Sequence, residues 1–193
     1  MNTKRLTLII IFIALTIALN LAGPKIPAPY APFLYYQLWE IPIVIAFLAV
    51  GPKAGITTAV VNTLILLAVF PGALPTGPFY NLIAVLSMLL GIYIPYRLAT
   101  HGIKTENLGN FLRQRAKLIS ISATALGITV RVLVTTATNY FLLQQPSPVG
   151  FSYSREAALV FLPLSVLFNA TVALYTIPVA LAVSITITSK FKL

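Results

Sequence analysis

The chain has 193 residues, 59% apolar or aromatic and 8% charged; a soluble domain carries about 25% charged residues, so a water-soluble globule with one core is excluded. Thirteen of the charged side chains are Lys or Arg and three are Glu, with no Asp and one His, so paired-carboxylate and His-centred catalysis lack their parts. Zero Cys removes disulfides, thiolate zinc sites and a thiol nucleophile, and the mean hydropathy of +0.95 suits hydrocarbon.

A membrane core of ~30 Å needs ~20 helical residues per crossing. Six spans are predicted, at 6–23, 39–51, 54–70, 79–97, 117–143 and 157–188. The first has no charge and follows Lys4 and Arg5; its apolar run exceeds the roughly 7–15 residues of a secretory signal, so it reads as a membrane helix. Then comes PKIPAPYAP, where four prolines in nine residues predict an extended, stiff loop. The second span begins near Trp39 and stops at Gly51-Pro52-Lys53-Ala54-Gly55, a tight turn by composition. Pro71-Gly72 ends the third span, and the fourth follows a short loop. The one long hydrophilic segment lies between Leu98 and Arg115, with His101, Lys104, Glu106, Asn107 and Asn110. After the fifth span a loop from Gln144 to Glu156 leads to the sixth, where Pro163 and Pro178 are expected to kink the helix or trim its ends. With no soluble domain and no fixed repeat, residues 1–193 read as one integral domain, an all-α bundle of six transmembrane helices.

With the N-terminus in the cytoplasm, the inner side collects Lys4, Arg5, Lys53, Arg97, Lys104, Arg113, Arg115, Lys117, Lys190 and Lys192, leaving only Lys25 and Arg155 outside. Arg131 lies within a span. That asymmetry predicts cytoplasmic termini and a multi-pass protein of the cell membrane. It also assigns the net charge of +10 to topology and contact with anionic membrane lipid rather than to nucleic acid.

Polar side chains within spans carry the functional information, because hydrocarbon leaves them unsatisfied. On the fifth span Gly127, Arg131, Thr135 and Asn139 recur every four residues and share a face. Ser165 and Asn169 share one on the sixth, with Thr176 near the same stripe, and Thr58 and Asn62 share one on the third. Alternating the spans through the membrane brings Asn81, Asn139 and Glu40 to the outer half, beside Phe33, Tyr35, Tyr36, Gln37 and Trp39. Such a set suits a pocket, since amides give directional donors and acceptors and aromatics give flat area. Taken singly, each amide also reads as interhelical glue worth ~0.6 kcal/mol, and each Tyr or Trp as an interfacial belt. Arg131 has Glu40 as its one plausible acidic partner; contact with backbone carbonyls freed by the prolines, or snorkelling, is the alternative.

On the first span Ala14, Ala18 and Ala22 form a small-residue face, suited either to packing in the bundle or to docking a separate membrane subunit. No GxxxxGK[ST] is present, so ATP hydrolysis through a P-loop would belong to partner subunits. No bound cofactor, metal site or enzymatic activity is expected.

Together these residues resemble a family. Phe33-Leu-Tyr-Tyr-Gln-Leu-Trp-Glu-Ile-Pro42 and Gly51-Pro-Lys-Ala-Gly55 are similar to the FLKxDxSDIP and GPxxG segments of riboflavin-type substrate-binding S components of energy-coupling factor (ECF) vitamin transporters. Asn81-Leu-Ile-Ala84 resembles that family's NFxA, Arg131 to Tyr140 its RxxxMxxxNY, and Phe168-Asn169 its FN pair. The Ala14-xxx-Ala18 spacing is similar to the motif such proteins present to their coupling subunit. The resemblance implies capture of a vitamin from outside, with Asn139 and Asn169 on the flavin ring edge and the first loop as lid. It also implies partnership with a transmembrane coupling subunit and two ATPases. Tyr35, Gln37, Trp39 and Val172 stand where the family pattern has Lys, an acid, Ser and Lys, so another flat heterocyclic vitamin is an alternative ligand. A stand-alone small-molecule carrier is an alternative of a different class, and a membrane protein without a ligand is a third.

Overall fold

The fold is described from a computed structural model covering residues 3–69, 74–102 and 105–190. Phe70, Pro71, Gly72, Lys104 and Lys192, which the sequence reading used for a span end, a turn and the charge count, lie outside the described residues. The elements are α1 (Thr3–Ala22), β1 (Ile26–Ala28), β2 (Ala31–Tyr36), α2 (Glu40–Ile45) running on into a π-helical turn (Ala46–Val50), α3 (Pro52–Val69), α4 (Gly77–Thr100), α5 (Thr105–Leu142) and α6 (Arg155–Lys190).

The six-helix expectation holds, with three corrections. Among the described residues five helices are long and apolar enough to cross a membrane, whereas Glu40–Val50 is shorter; at ~1.5 Å per residue its eleven residues reach about 16 Å, roughly half of the ~30 Å core. The second predicted span is therefore a half-length helix buried among its neighbours, with Ile43, Val44 and Ala46 fully covered. Second, the hydrophilic stretch before residue 117 is helical from Thr105 onward, so α5 has 38 residues rather than beginning at Lys117. Leu112 anchors that extension, being 2% exposed. Third, Pro163 and Pro178 trim neither end of α6; both lie inside a 36-residue helix.

The proline-rich first loop is extended as expected, but its strands also pair. β1 and β2 form an antiparallel hairpin joining Ile26 to Tyr36, Pro27 to Tyr35 and Ala28 to Ala31, with a bulge between Pro27 and Ala28. Proline gives no N–H to a ladder, which keeps this ribbon short and irregular. The Tyr30 and Tyr36 hydroxyls meet at 2.6 Å and close it. Partial burial, helped by that bond, pushes the Tyr30 phenol up to about 12, so the link stays protonated at ordinary pH.

At the opposite end of the bundle the helices pack tightly. Gly51 turns the chain from the π-helical segment into α3 at φ 131°, a region that disfavours side chains. Gly91 on α4 lets the backbone of α5 approach so closely that an added Cβ would stand 2.5 Å from the Leu126 carbonyl oxygen and 2.8 Å from Gly127 Cα. Ile92, Ala123, Ile177 and Leu181 fill this half, and contact between α5 and both α4 and α6 dominates the tertiary structure.

Candidate functional site

At the hairpin end the helices enclose a cavity of about 460 Å³, within the range of small-molecule sites. Its floor is an ion pair. Arg131, 2% exposed and in the C-terminal third of α5, meets Glu40, 4% exposed at the first position of α2. The contact is bidentate: one terminal guanidinium nitrogen reaches Oε2 and the other donates to Oε1 at 2.9 Å. Arg131 Nε donates to Asn169 Oδ1 on α6 at 2.9 Å, and Met88 Sδ on α4 lies 3.5 Å from Nη1. Of the alternatives that the sequence leaves open for Arg131, pairing with Glu40 is the one found, and Arg131 draws α2, α4, α5 and α6 to one point.

A polar ladder climbs from this floor. Asn169 Nδ2 donates to the Ser165 carbonyl at 2.9 Å and to its hydroxyl at 3.3 Å. Asn139 Nδ2 donates to the same hydroxyl at 2.5 Å. Spacings of four residues on α5 and on α6 place these groups on facing stripes. Thr176, near the α6 stripe, is buried but lies outside the cavity.

Of the ten residues put forward for ligand contact, Gln37, Trp39, Glu40, Asn81, Arg131, Asn139 and Asn169 line the cavity. Trp39 is buried, so it forms part of the wall rather than an exposed belt. Phe33, Tyr36 and Asn62 do not line it. Phe33 is 60% exposed and stacks on Phe161 with ring centroids 6.0 Å apart; Tyr36 stacks on Phe168 at 5.2 Å. Those two fasten the hairpin to α6, and their partners Phe161 and Phe168 face the cavity instead. Asn62 sits behind the wall and accepts a bond from Asn20 Nδ2 at 3.4 Å.

The sequence reading missed Asn20, Lys25, Thr138 and Tyr175, all of which line the cavity. Asn20 follows Thr16 by four residues on α1, and both are buried, so a polar stripe on that helix was the available signal. Phe168, Val172 and Tyr175 follow one another at helical spacing, and the Tyr175 hydroxyl donates to the Gln37 carbonyl at 2.6 Å, tying α6 to the chain beyond the hairpin. Ala14, Ala18 and Ala22 are exposed along α1, which buries only Phe12, Thr16 and Asn20 among its described residues. Packing within this chain therefore does not account for them.

Among the described residues, five helices long and apolar enough to cross a membrane contribute to a cavity with amide and aromatic walls, the architecture of a multi-pass membrane protein. No family model matches the chain. It is 37% identical over 91 residues to the riboflavin transporter RibU of Staphylococcus aureus (strain TCH60), a stretch taking in 47% of this chain and 48% of that protein; the chain thus spans about half the length of the curated relative it matches. A solved structure described as the S component of a bacterial ECF transporter superposes with a TM-score of 0.65 at 26% identity, over 90% of this chain and 91% of that one. The chain is thus similar in fold to an S component of an ECF transporter, and it is a multi-pass protein of the cell membrane.

Proposed function

We propose that the chain is the substrate-capture subunit of an ECF-type importer and that riboflavin is its ligand. The observation that carries this is the cavity itself, which combines Asn139, Ser165 and Asn169 on one side with Trp39, Phe161 and Phe168 around it. A flat heterocycle with an alternating donor and acceptor edge matches such walls. Residues 1–193 act as one membrane domain, with both termini in the cytoplasm, as the ten-to-two distribution of basic residues favours. The cavity then faces outward beneath the hairpin, which serves as its lid. The chain itself performs no catalysis and carries no resident cofactor; a transmembrane coupling subunit and two ATPases supply the energy.

Purification in mild detergent followed by fluorescence titration tests the ligand. Riboflavin emission should be quenched to saturation at one molecule per chain, and an unchanged emission would sink the riboflavin reading. Departures at Tyr35, Gln37, Trp39 and Val172 from the riboflavin-type pattern favour one second reading, in which another flat heterocyclic vitamin occupies the same walls. Competition by unlabelled vitamins in the titration separates the two.

The coupling partner docks on the exposed Ala14, Ala18 and Ala22 face of α1, where small side chains permit close helix approach. Ala14→Leu with Ala18→Leu should abolish cellular uptake while leaving detergent titrations unchanged. Loss of both together would contradict a docking face.

A further inference from the structure

Arg131 and Glu40 form the floor of the cavity and are among its most deeply buried groups. Removing two charges from water is costly and is often no more stabilising than apolar packing, so the pair has to be understood through what it holds. What it holds is a carboxamide. A guanidinium carries five donors and no acceptor. The Asn169 atom facing Arg131 Nε at 2.9 Å must therefore be oxygen. Its nitrogen is then turned to Ser165, where both the carbonyl and the hydroxyl receive it. A carboxamide held this way has its donors engaged and keeps one oxygen lone pair to offer the cavity it lines.

We propose that Arg131, clamped by Glu40, is a positioning residue that fixes the orientation of the Asn169 carboxamide, so that the cavity selects ligands presenting an N–H donor at that edge. The choice of probe rests on the riboflavin reading above, since the imide N–H of a flavin supplies such a donor. The orientation itself does not depend on that reading.

Two measurements keep the two claims apart. In ligand-free protein labelled with ¹⁵N-asparagine, the Asn169 side-chain NH₂ pair, assigned by its disappearance in Asn169→Asp, should exchange with solvent slowly. In the double variant Glu40→Gln, Arg131→Met, which removes both charges without stranding either, exchange should accelerate at least about tenfold. Titration with riboflavin and with its imide N-methyl derivative should give the wild type a preference for riboflavin of about tenfold, the usual worth of one well-made hydrogen bond. In the double variant that ratio should collapse to within about twofold. Arg131→Lys, which keeps the charge beside Glu40 but lacks the fork that also reaches Asn169, should lower the ratio too and serves if the double variant does not fold. A parallel loss of affinity for both ligands, with the ratio intact, would overturn the proposal and make the pair purely structural. So would rapid exchange of the Asn169 amide in the wild type. Slow exchange without any flavin binding would overturn the riboflavin reading alone.

Discussion

The two ends of the bundle use similar helices differently. Toward the π-helical turn and the α4–α5 connection, Gly91 and Gly127 bring backbones together and Ile92, Ala123, Ile177 and Leu181 close the interior. Toward the hairpin the same α4, α5 and α6 line a cavity and present Arg131, Asn139, Ser165 and Asn169 to it. The change occurs within single helices: α5 passes from the buried Ala123 to the buried Arg131 in eight residues, about two turns. A solute that enters at the hairpin end thus meets a packed half beneath it. Passage to the other side then requires that this packed half open.

Single changes at the two ends should separate their roles. The largest effect is expected from Glu40→Gln, which leaves the Arg131 charge buried without its counter-ion; breaking a buried pair costs about 3–5 kcal/mol, read as a lowered melting midpoint in detergent together with weakened binding. An unchanged melt would mean that the guanidinium finds other partners. Next comes Gly91→Ala at the packed end, where the new methyl group meets backbone rather than a movable side chain. Overpacking of this kind costs about 1–3 kcal/mol. The melt should fall while ligand affinity stays within error, and a matching drop in affinity would show that the two ends are not independent. The smallest is Asn139→Ala, which should weaken ligand binding by about 1 kcal/mol with little change in melting. If stability fell and binding did not, Asn139 would be interhelical glue.

Much of this organisation was legible in the sequence, for identifiable reasons. Long apolar runs declare membrane helices through length alone, and an arginine inside a span demands a partner. With three acids in the chain, Glu40 was the one plausible acidic partner, backbone carbonyls and snorkelling being the alternatives, and the structure joins it to Arg131. Asn139 and Asn169 were visible as amides at helical spacing from other polar groups. What escaped depended on tertiary context. The prolines of the first loop exclude a helix but do not reveal that Ile26–Ala28 pairs with Ala31–Tyr36. The brevity of Glu40–Val50 was hidden because its residues are as apolar as those of a full span and are buried by protein. The start of α5 reads as a loop because its polar residues outnumber its buried anchors, Leu112 being the clear one. Phe33 and Tyr36 illustrate a further limit: aromatic residues near a site can fasten the hairpin beside it while two of the rings that line it, Phe161 and Phe168, come from a helix far along the chain.

The central claim is that the hairpin-end cavity holds riboflavin. Native mass spectrometry of the chain purified from a riboflavin-replete host, followed by denaturation and identification of the released small molecule, tests it most directly. One riboflavin per chain, lost in the Asn139→Ala, Asn169→Ala double variant, is the predicted result. A ligand of different mass, or riboflavin retained after both amides are removed, would contradict it.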